Sequence, residues 1–386
     1  ALPIYRFEFF TLKQEGRIKA VIATGCLAER YRDEMKKEIP ELDAVVGIGS
    51  NGKICDIIRE ILLDKQAVCS YGAKTELSME GGRIISTEPF YAYIKIAEGC
   101  SNNCTYCAIP SIRGKYRSRR MEDIVKEARW LAENGVTELV VVAQDTTRYG
   151  EDIYGKSMLP ELLTALCEID GFKWIRTLYC YPERITDELL DVIAKEDKLV
   201  KYLDMPIQHC NKTILKRMNR HGDRETLTAL IKKIREKIPN VTLRTTLITG
   251  FPGETEEQFE ELCEFVKEIR FERLGCFAYS PEEGTPAEKF EDQVPLKDRE
   301  RRAEIIMEEQ MIISDSLNEA ALDSEVEVVC EGFDRYAECY YGRSQADAPE
   351  IDGKIFFLSE DKVRVGEYVK VKIDDTMDYD LIGSKM

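Results

Sequence analysis

The chain has 386 residues, 44% of them hydrophobic, and carries 72 Asp and Glu against 55 Lys and Arg, a net charge of −17. That length has room for two or three domains with ordinary cores. The acidity aids solubility and also opposes a polyanionic partner, because nucleic-acid affinity rests on neutralising phosphates with Lys and Arg, so charge favours a basic partner.

In chain order, residues 1–80 are predicted to form a small α/β domain. "IKAVIATG" (18–25) and "DAVVGIG" (43–49) read as strands, with the helix "LAERYRDEMKKEIP" between them stopped by Pro40. Residues 1–20 lack the layout of a signal peptide, and no stretch approaches the roughly 20 apolar residues of a bilayer crossing, so a cytoplasmic protein without a membrane partner is expected. The sequence starts at Ala1 rather than Met, which suggests a trimmed chain.

From Tyr91 a strand–helix rhythm begins. Apolar strands are predicted at 91–97, 138–143, 174–179, 200–205, 241–248 and 273–280. Helices lie between them: in "MEDIVKEARWLAEN" (121–134), Ile124, Ala128 and Leu131 share one face and Gly135 ends the run. "TEEQFEELCEFVKEI" (255–269) opens on a capping box of Thr255 and Gln258. Six such repeats predict an α/β core, a parallel sheet curled into an open barrel over residues 86–320, with chemistry at the carboxyl ends of its strands. After the charged helix at 296–320, five short strands in residues 321–386 predict a small closed β-barrel. This tail holds sixteen Asp and Glu against eight Lys and Arg.

Thirteen cysteines, an odd number in a long chain without secretory features, argue against a disulfide framework, and most read as buried thiols. Three stand apart. "EGCSNNCTYCAIP" (98–110) sets Cys100, Cys104 and Cys107 in a CxxxCxxC spacing directly after the first barrel strand. A closed zinc site needs four ligands, usually in pairs, and the nearest further cysteine in sequence, Cys69, belongs to no such pair. Three thiolates suit a 4Fe-4S cluster whose fourth iron stays open to a ligand that is not protein. Tyr106, beside Cys107, offers a ring that can pack near the cluster.

This motif resembles the signature of the radical S-adenosylmethionine (SAM) superfamily. The blocks "VVAQDTTRYG" (141–150), "MPIQH" (205–209), "ITGFPGET" (248–255), "YSPEEGTPA" (279–287) and "GRSQADAPEIDG" (342–353) narrow the resemblance to its methylthiotransferases. The resemblance implies an open (βα)6 radical SAM core, a partial TIM barrel, between an N-terminal methylthiotransferase domain and a C-terminal TRAM barrel. It also implies SAM as cofactor, bound at the open iron. "QDTTRYG", "MPIQH" and "SPEEGTPA" are similar to the branch that methylthiolates the β-carbon of an aspartate in the twelfth protein of the small ribosomal subunit, uS12. The competing branch methylthiolates adenosine in tRNA, and an acidic terminal barrel suits the basic ribosomal protein better. A non-catalytic iron–sulfur scaffold that binds ribosomes is the alternative of another class. The implied partners are uS12, the ribosome, and an electron donor such as a flavodoxin or ferredoxin.

The family carries a second 4Fe-4S cluster on three N-terminal cysteines. Cys26 in "ATGCLAERY" matches the third, while the stretches that would carry the other two are absent. The expectation is that segments of the native protein are missing from this sequence; otherwise the second cluster is incomplete. Gln144 and Asp145 follow the second barrel strand, and Gln208 and His209 follow the fourth. They are candidates for the barrel mouth, Gln144 for the cofactor, against a reading as ordinary polar loop residues. Arg244, inside an apolar strand, needs either the SAM carboxylate or a structural acid as partner. Gly250, with Pro252 and Gly253, lets the backbone pass close to a nucleoside, although such a turn needs no ligand to exist. The run "RGKYRSRR" (113–120) reads as a solvated surface, as a segment that orders the cluster loop over SAM, or as a contact to the ribosome. In the terminal barrel, Asp347, Glu350 and Asp352 are candidates for binding Lys or Arg of the substrate protein.

Overall fold

The structure is a computed structural model that describes residues 2–64, 68–86 and 88–386, with backbone alone at 2–7 and 64. Ala1, on which the expectation of trimming rests, lies outside them. The chain divides into two compact units: residues 1–83 with 98–101 and 108–117, and the remainder through Met386.

In the first unit, the parallel sheet among the described residues comprises β1 (Ile22–Thr24), β2 (Ala44–Val46) and β3 (Val68–Ser70), in that order. Strand alternation sends Val45 to one face, where it packs with Ala28 and Met35 of α2 (Cys26–Glu38). Ala44 and Val46 go to the other, against Ile57 and Ile61 of α3 (Ile54–Asp64). A helix, α1 (Leu2–Gln14), precedes the sheet.

The second unit contains the six predicted core strands: β4 (Tyr91–Lys95), β5 (Glu138–Val142), β6 (Trp174–Thr177), β7 (Tyr202–Asp204), β8 (Thr242–Thr249) and β9 (Arg273–Ala278). They pair in parallel as β4-β5-β6 and β7-β8-β9, and a bridge between Ile175 and Leu199 joins the two sets, giving the open α/β barrel expected. In α4 (Met121–Glu133), Ile124, Ala128 and Leu131 are buried, and Gly135 takes a left-handed φ of 90° after it. The capping box of α5 (Glu256–Ile269) forms as read, Thr255 N–H donating to Gln258 Oε1 at 3.0 Å.

The helix α6 (Leu296–Glu319) leads into a closed barrel of β10 (Glu325–Asp334), β11 (Cys339–Arg343), β12 (Ile355–Leu358), β13 (Tyr368–Met377) and β14 (Asp380–Lys385). Its interior holds Val328, Ile355, Phe357, Val371 and Ile373. Val329 and Ala348 of the terminal barrel share a second core with Tyr91, Val140, Trp174 and Tyr202. Because Tyr91, Trp174 and Tyr202 each begin a strand, the terminal barrel closes the amino ends of those strands and leaves the carboxyl ends to function.

Candidate active site

Cys104 and Cys107 lie on the loop that follows β4, and this loop is held by backbone and side-chain bonds rather than by its own sequence. Thr105 N–H donates to Met218 O at 3.1 Å and its hydroxyl to Arg217 O at 2.8 Å, while Ala287 N–H donates to Thr105 O at 2.9 Å. Asn219 Nδ2 donates to the carbonyls of Asn102 and Asn103, both at 3.0 Å. Cys107 N–H closes a tight turn onto Cys104 O at 3.1 Å. Cys100 falls in the first unit, buried, with its N–H on Gly114 O at 3.1 Å. Gly99 before it has φ 75°, and a Cβ there would stand 2.4 Å from Lys115 O, so only glycine fits.

Cys104 Sγ is 3.7 Å from the Tyr181 hydroxyl, and the Arg220 guanidinium lies 4.1 Å over the Tyr181 ring. Arg220 is buried, donates to Pro206 O at 2.9 Å, and leaves its Nε without a hydrogen-bond partner. Tyr106 packs against Phe251, Tyr279 and Ala287. Burial, then the negative charge of Cys104, push its hydroxyl pKa well up, so it stays neutral. Among the described residues no three His, Cys, Asp or Glu side chains gather around one point as a single metal ion requires. Thiolates that bind three different irons of one cube need not converge in that way, and an unpaired buried donor beside one of them suits a group of acceptor sulfurs. The donor set therefore fits a cluster.

In the first unit, Cys26 opens α2, and Arg113 bridges it to the loop: Nη2 lies 3.2 Å from Cys26 Sγ and Nη1 2.7 Å from the buried carboxylate of Glu98. Three arginines of the basic run are thus engaged within the protein, while Lys115 and Arg120 are exposed. Arg117 donates to Lys74 O and Thr75 O, and Arg119, in the second unit, is buried against Glu127 and Lys95 O.

The carboxyl ends of the strands supply the remaining candidates. Gln144 lines a cavity of about 540 Å³ together with Lys95, Leu178, Tyr179 and Glu350. Asp145 turns inward, accepting from Asn102 Nδ2 at 2.8 Å and Thr147 Oγ1 at 2.6 Å, and so ties the cysteine loop to β5. Gln208, at φ 70°, extends the β7 edge by accepting from Ile248 N–H at 2.8 Å. His209 is fully buried, its Nδ1 accepting from Asn211 N–H at 2.9 Å and its Nε2 3.6 Å from Glu254. Glu254 in turn accepts Gly250 N–H at 2.9 Å and pairs with Arg302 at 2.9 Å. Gly250, at φ 67°, packs so closely on Arg299 that a Cβ would fall 2.4 Å from its Cγ.

Four further candidates have partners within the protein. Arg244 takes its structural alternative, with Nη1 2.9 Å from Asp204 and Nε 3.5 Å from Asp352. Asp347 is buried 2.6 Å from Arg273, because an unpaired guanidinium inside the barrel would cost more than the loop's solvation gains. Asp352 also accepts from the Tyr202 hydroxyl at 2.6 Å, so it too is engaged within the protein. Glu350 accepts from Tyr91 at 2.9 Å but remains exposed and reaches the cavity. Sequence reading missed Arg220, Tyr181 and Lys95; Lys95 alone carried a signal, a cation at the end of an apolar strand.

The radical SAM superfamily model matches residues 94–266, and the TRAM domain model residues 324–385. A ribosomal protein uS12 methylthiotransferase RimO of Clostridioides difficile (strain 630) is 51% identical over 376 residues, 97% of this chain and 84% of that protein. The protein of the same name from Thermoanaerobacter sp. (strain X514) is 49% identical over 96% of this chain and 84% of its own length. Among solved structures, the cobalamin-dependent SAM radical enzyme OxsB with aqua-cobalamin and SAM bound aligns over 79% of this chain and 46% of its own, with a TM-score of 0.50 at 13% identity, a likeness of fold. By sequence along nearly its whole length, by its two matched domains and by its fold, the chain belongs to the radical SAM methylthiotransferases, in the RimO family.

Proposed function

We propose that this chain methylthiolates the β-carbon of an aspartate in ribosomal protein uS12, with one SAM as radical source and another as methyl donor. The observation that carries this reading is the near-50% identity to RimO proteins across almost the entire chain. Cys100, Cys104 and Cys107 would hold a 4Fe-4S cluster and SAM, which when bound supplies one-electron chemistry able to break an unactivated C–H bond that no side-chain base can deprotonate at useful cost.

The chain's own residues then position and shield. Asn102, Thr105 and Asn219 fix the cysteine loop before any ligand arrives, which lowers the ordering cost of assembling the site. Tyr106 and Tyr181 pack beside Cys104 and keep water from its sulfur. Gln144, at the cavity, is placed to donate to a bound cofactor. Cys26, with the cation of Arg113 against its sulfur, serves as one ligand of the second, sulfur-donating 4Fe-4S cluster. Glu350, open to the cavity, meets a cation of the basic substrate, and the reaction draws on a cytoplasmic donor such as flavodoxin or ferredoxin. The terminal barrel's net negative charge supports uS12, free or on the ribosome, over tRNA.

Intact-mass analysis of uS12 after incubation with anaerobically reconstituted protein, SAM and reductant tests the reading. One added methylthio group is the expected result. Modified tRNA instead would identify the other branch, and an absence of 5′-deoxyadenosine would leave only a scaffold.

A further inference from the structure

The cavity that Gln144 lines has both apolar and polar walls, and among the described residues Lys95 is its cation. Its described lining includes the apolar side chains of Val142, Leu178 and Ile351, with Lys95 as its cation and Glu350 as its anion. Lys95 is the last residue of β4, five positions before Cys100, so its ammonium stands at the carboxyl end of the strand where the cysteine loop starts. Two of the lining residues, Tyr179 and Glu350, hold left-handed backbone, φ 61° and 65°, which side-chain-bearing residues adopt only at a cost. Such conformations persist where the surroundings enforce them, and here the Tyr91 hydroxyl pins Glu350 at 2.9 Å. Strain and charge thus coincide at one cavity.

We propose that Lys95 is the specificity residue that binds the carboxylate of the aspartate to be modified. This inference rests on the proposed reaction with uS12. The reacting β-carbon is one bond from that carboxylate, so holding the carboxylate fixes the carbon within the cavity. An anion leaving water for this cavity needs a cation and hydrogen-bond donors there, and the Lys95 ammonium, beside whatever partner it already has, brings a positive charge and N–H donors to the cavity wall. An asparagine of the same shape satisfies neither the charge nor all the donors, so the cavity discriminates by chemistry rather than by size. Glu350 opposes a second carboxylate nearby and leaves room for one acid at a time.

The test uses full-length uS12 carrying aspartate or asparagine at the modified position, with binding to the reconstituted enzyme measured by titration calorimetry. The wild-type protein is expected to bind the aspartate form at least about tenfold more tightly. Lys95→Met should erase that preference by weakening only the aspartate form, and Lys95→Arg should retain most of it. Equal wild-type affinity for both forms overturns the proposal without any variant having to fold. So does a Lys95→Met protein that loses affinity for both forms equally, or for SAM instead of uS12. If the wild-type protein leaves aspartate uS12 unmodified, the reaction itself is misassigned; if it modifies uS12 but does not discriminate, only the role of Lys95 fails.

Discussion

Arg343, the last residue of β11, forms an ion pair with Glu138, the first residue of β5, with both side chains out of solvent. Arg176 shares the same carboxylate, its Nε 3.1 Å away, and Arg343 reaches Glu331 at 2.6 Å. Two acids, the buried Glu138 and Glu331, therefore face two guanidiniums across the junction of the core and the terminal barrel, with Glu138 shared between them. Glu138→Gln removes the acid paired with the buried Arg176 and leaves Arg343 with Glu331 alone, and is expected to lower unfolding stability by about 3–5 kcal/mol. Denaturant titration of the variant measures this. A fall below about 1 kcal/mol would mean that water or Glu331 compensates.

Arg220 stands beside the sulfur of Cys104 with a full charge in a buried setting. A cation there favours the reduced, more negative state of any cluster bound at Cys104. Arg220→Gln should shift the midpoint potential to more negative values by on the order of 60 mV, a tenfold change for one electron, and Arg220→Lys should restore most of it. Redox titration followed by electron paramagnetic resonance reads the shift. An unchanged potential would confine Arg220 to packing over Tyr181.

Gly250 is required by the protein before any nucleoside approaches. A side chain at φ 67° is strained, and its Cβ would also displace Arg299. Gly250→Ala is expected to cost about 1–3 kcal/mol of stability even without SAM. Calorimetric melting of the ligand-free protein distinguishes this from a purely cofactor-related loss, which would leave the melt unchanged.

Burial pushes the thiols of Cys167 and Cys263 up to about 11 and that of Cys276 up to about 12. At pH 8 their thiolate fractions are on the order of one in a thousand or lower, so they are poor nucleophiles. Cys55 and Cys69 are exposed. Iodoacetamide at pH 8 should label Cys55 and Cys69 first, and Cys167, Cys263 and Cys276 should gain reactivity only as pH rises toward 11 and above. Peptide mapping checks the order; early labelling of Cys276 would mean that the sheet around it opens.

β5, β6 and β7 were legible because each is an apolar run buried on both faces, a pattern that survives without knowledge of partners, whereas β9 is only half-buried and was legible from its place in the repeat. The capping box of Thr255 and Gln258 was legible because both partners lie within one turn. The sheet of the first unit was read only in part: β3, three residues of "VCS", is too short to carry a periodicity. The site divided along the same line. Three cysteines in eight residues declare themselves by spacing. Asp347 and Asp352 looked like surface acids because their turn is polar, yet Arg273 and Arg244, about 75 and 110 positions away, draw them inside. Arg220 gave no local sign, since its neighbours Tyr181 and Cys104 come from other loops.

The acids and the arginine that fasten the terminal barrel beneath the strands have a mechanical consequence. A recognition module on a slack tether would sample many distances from the reacting centre and would need a separate closing motion to deliver its cargo. Fastened as it is, this barrel keeps a fixed span to the cavity, so a partner bound on it would present to the cavity only what lies at the distance the fold sets.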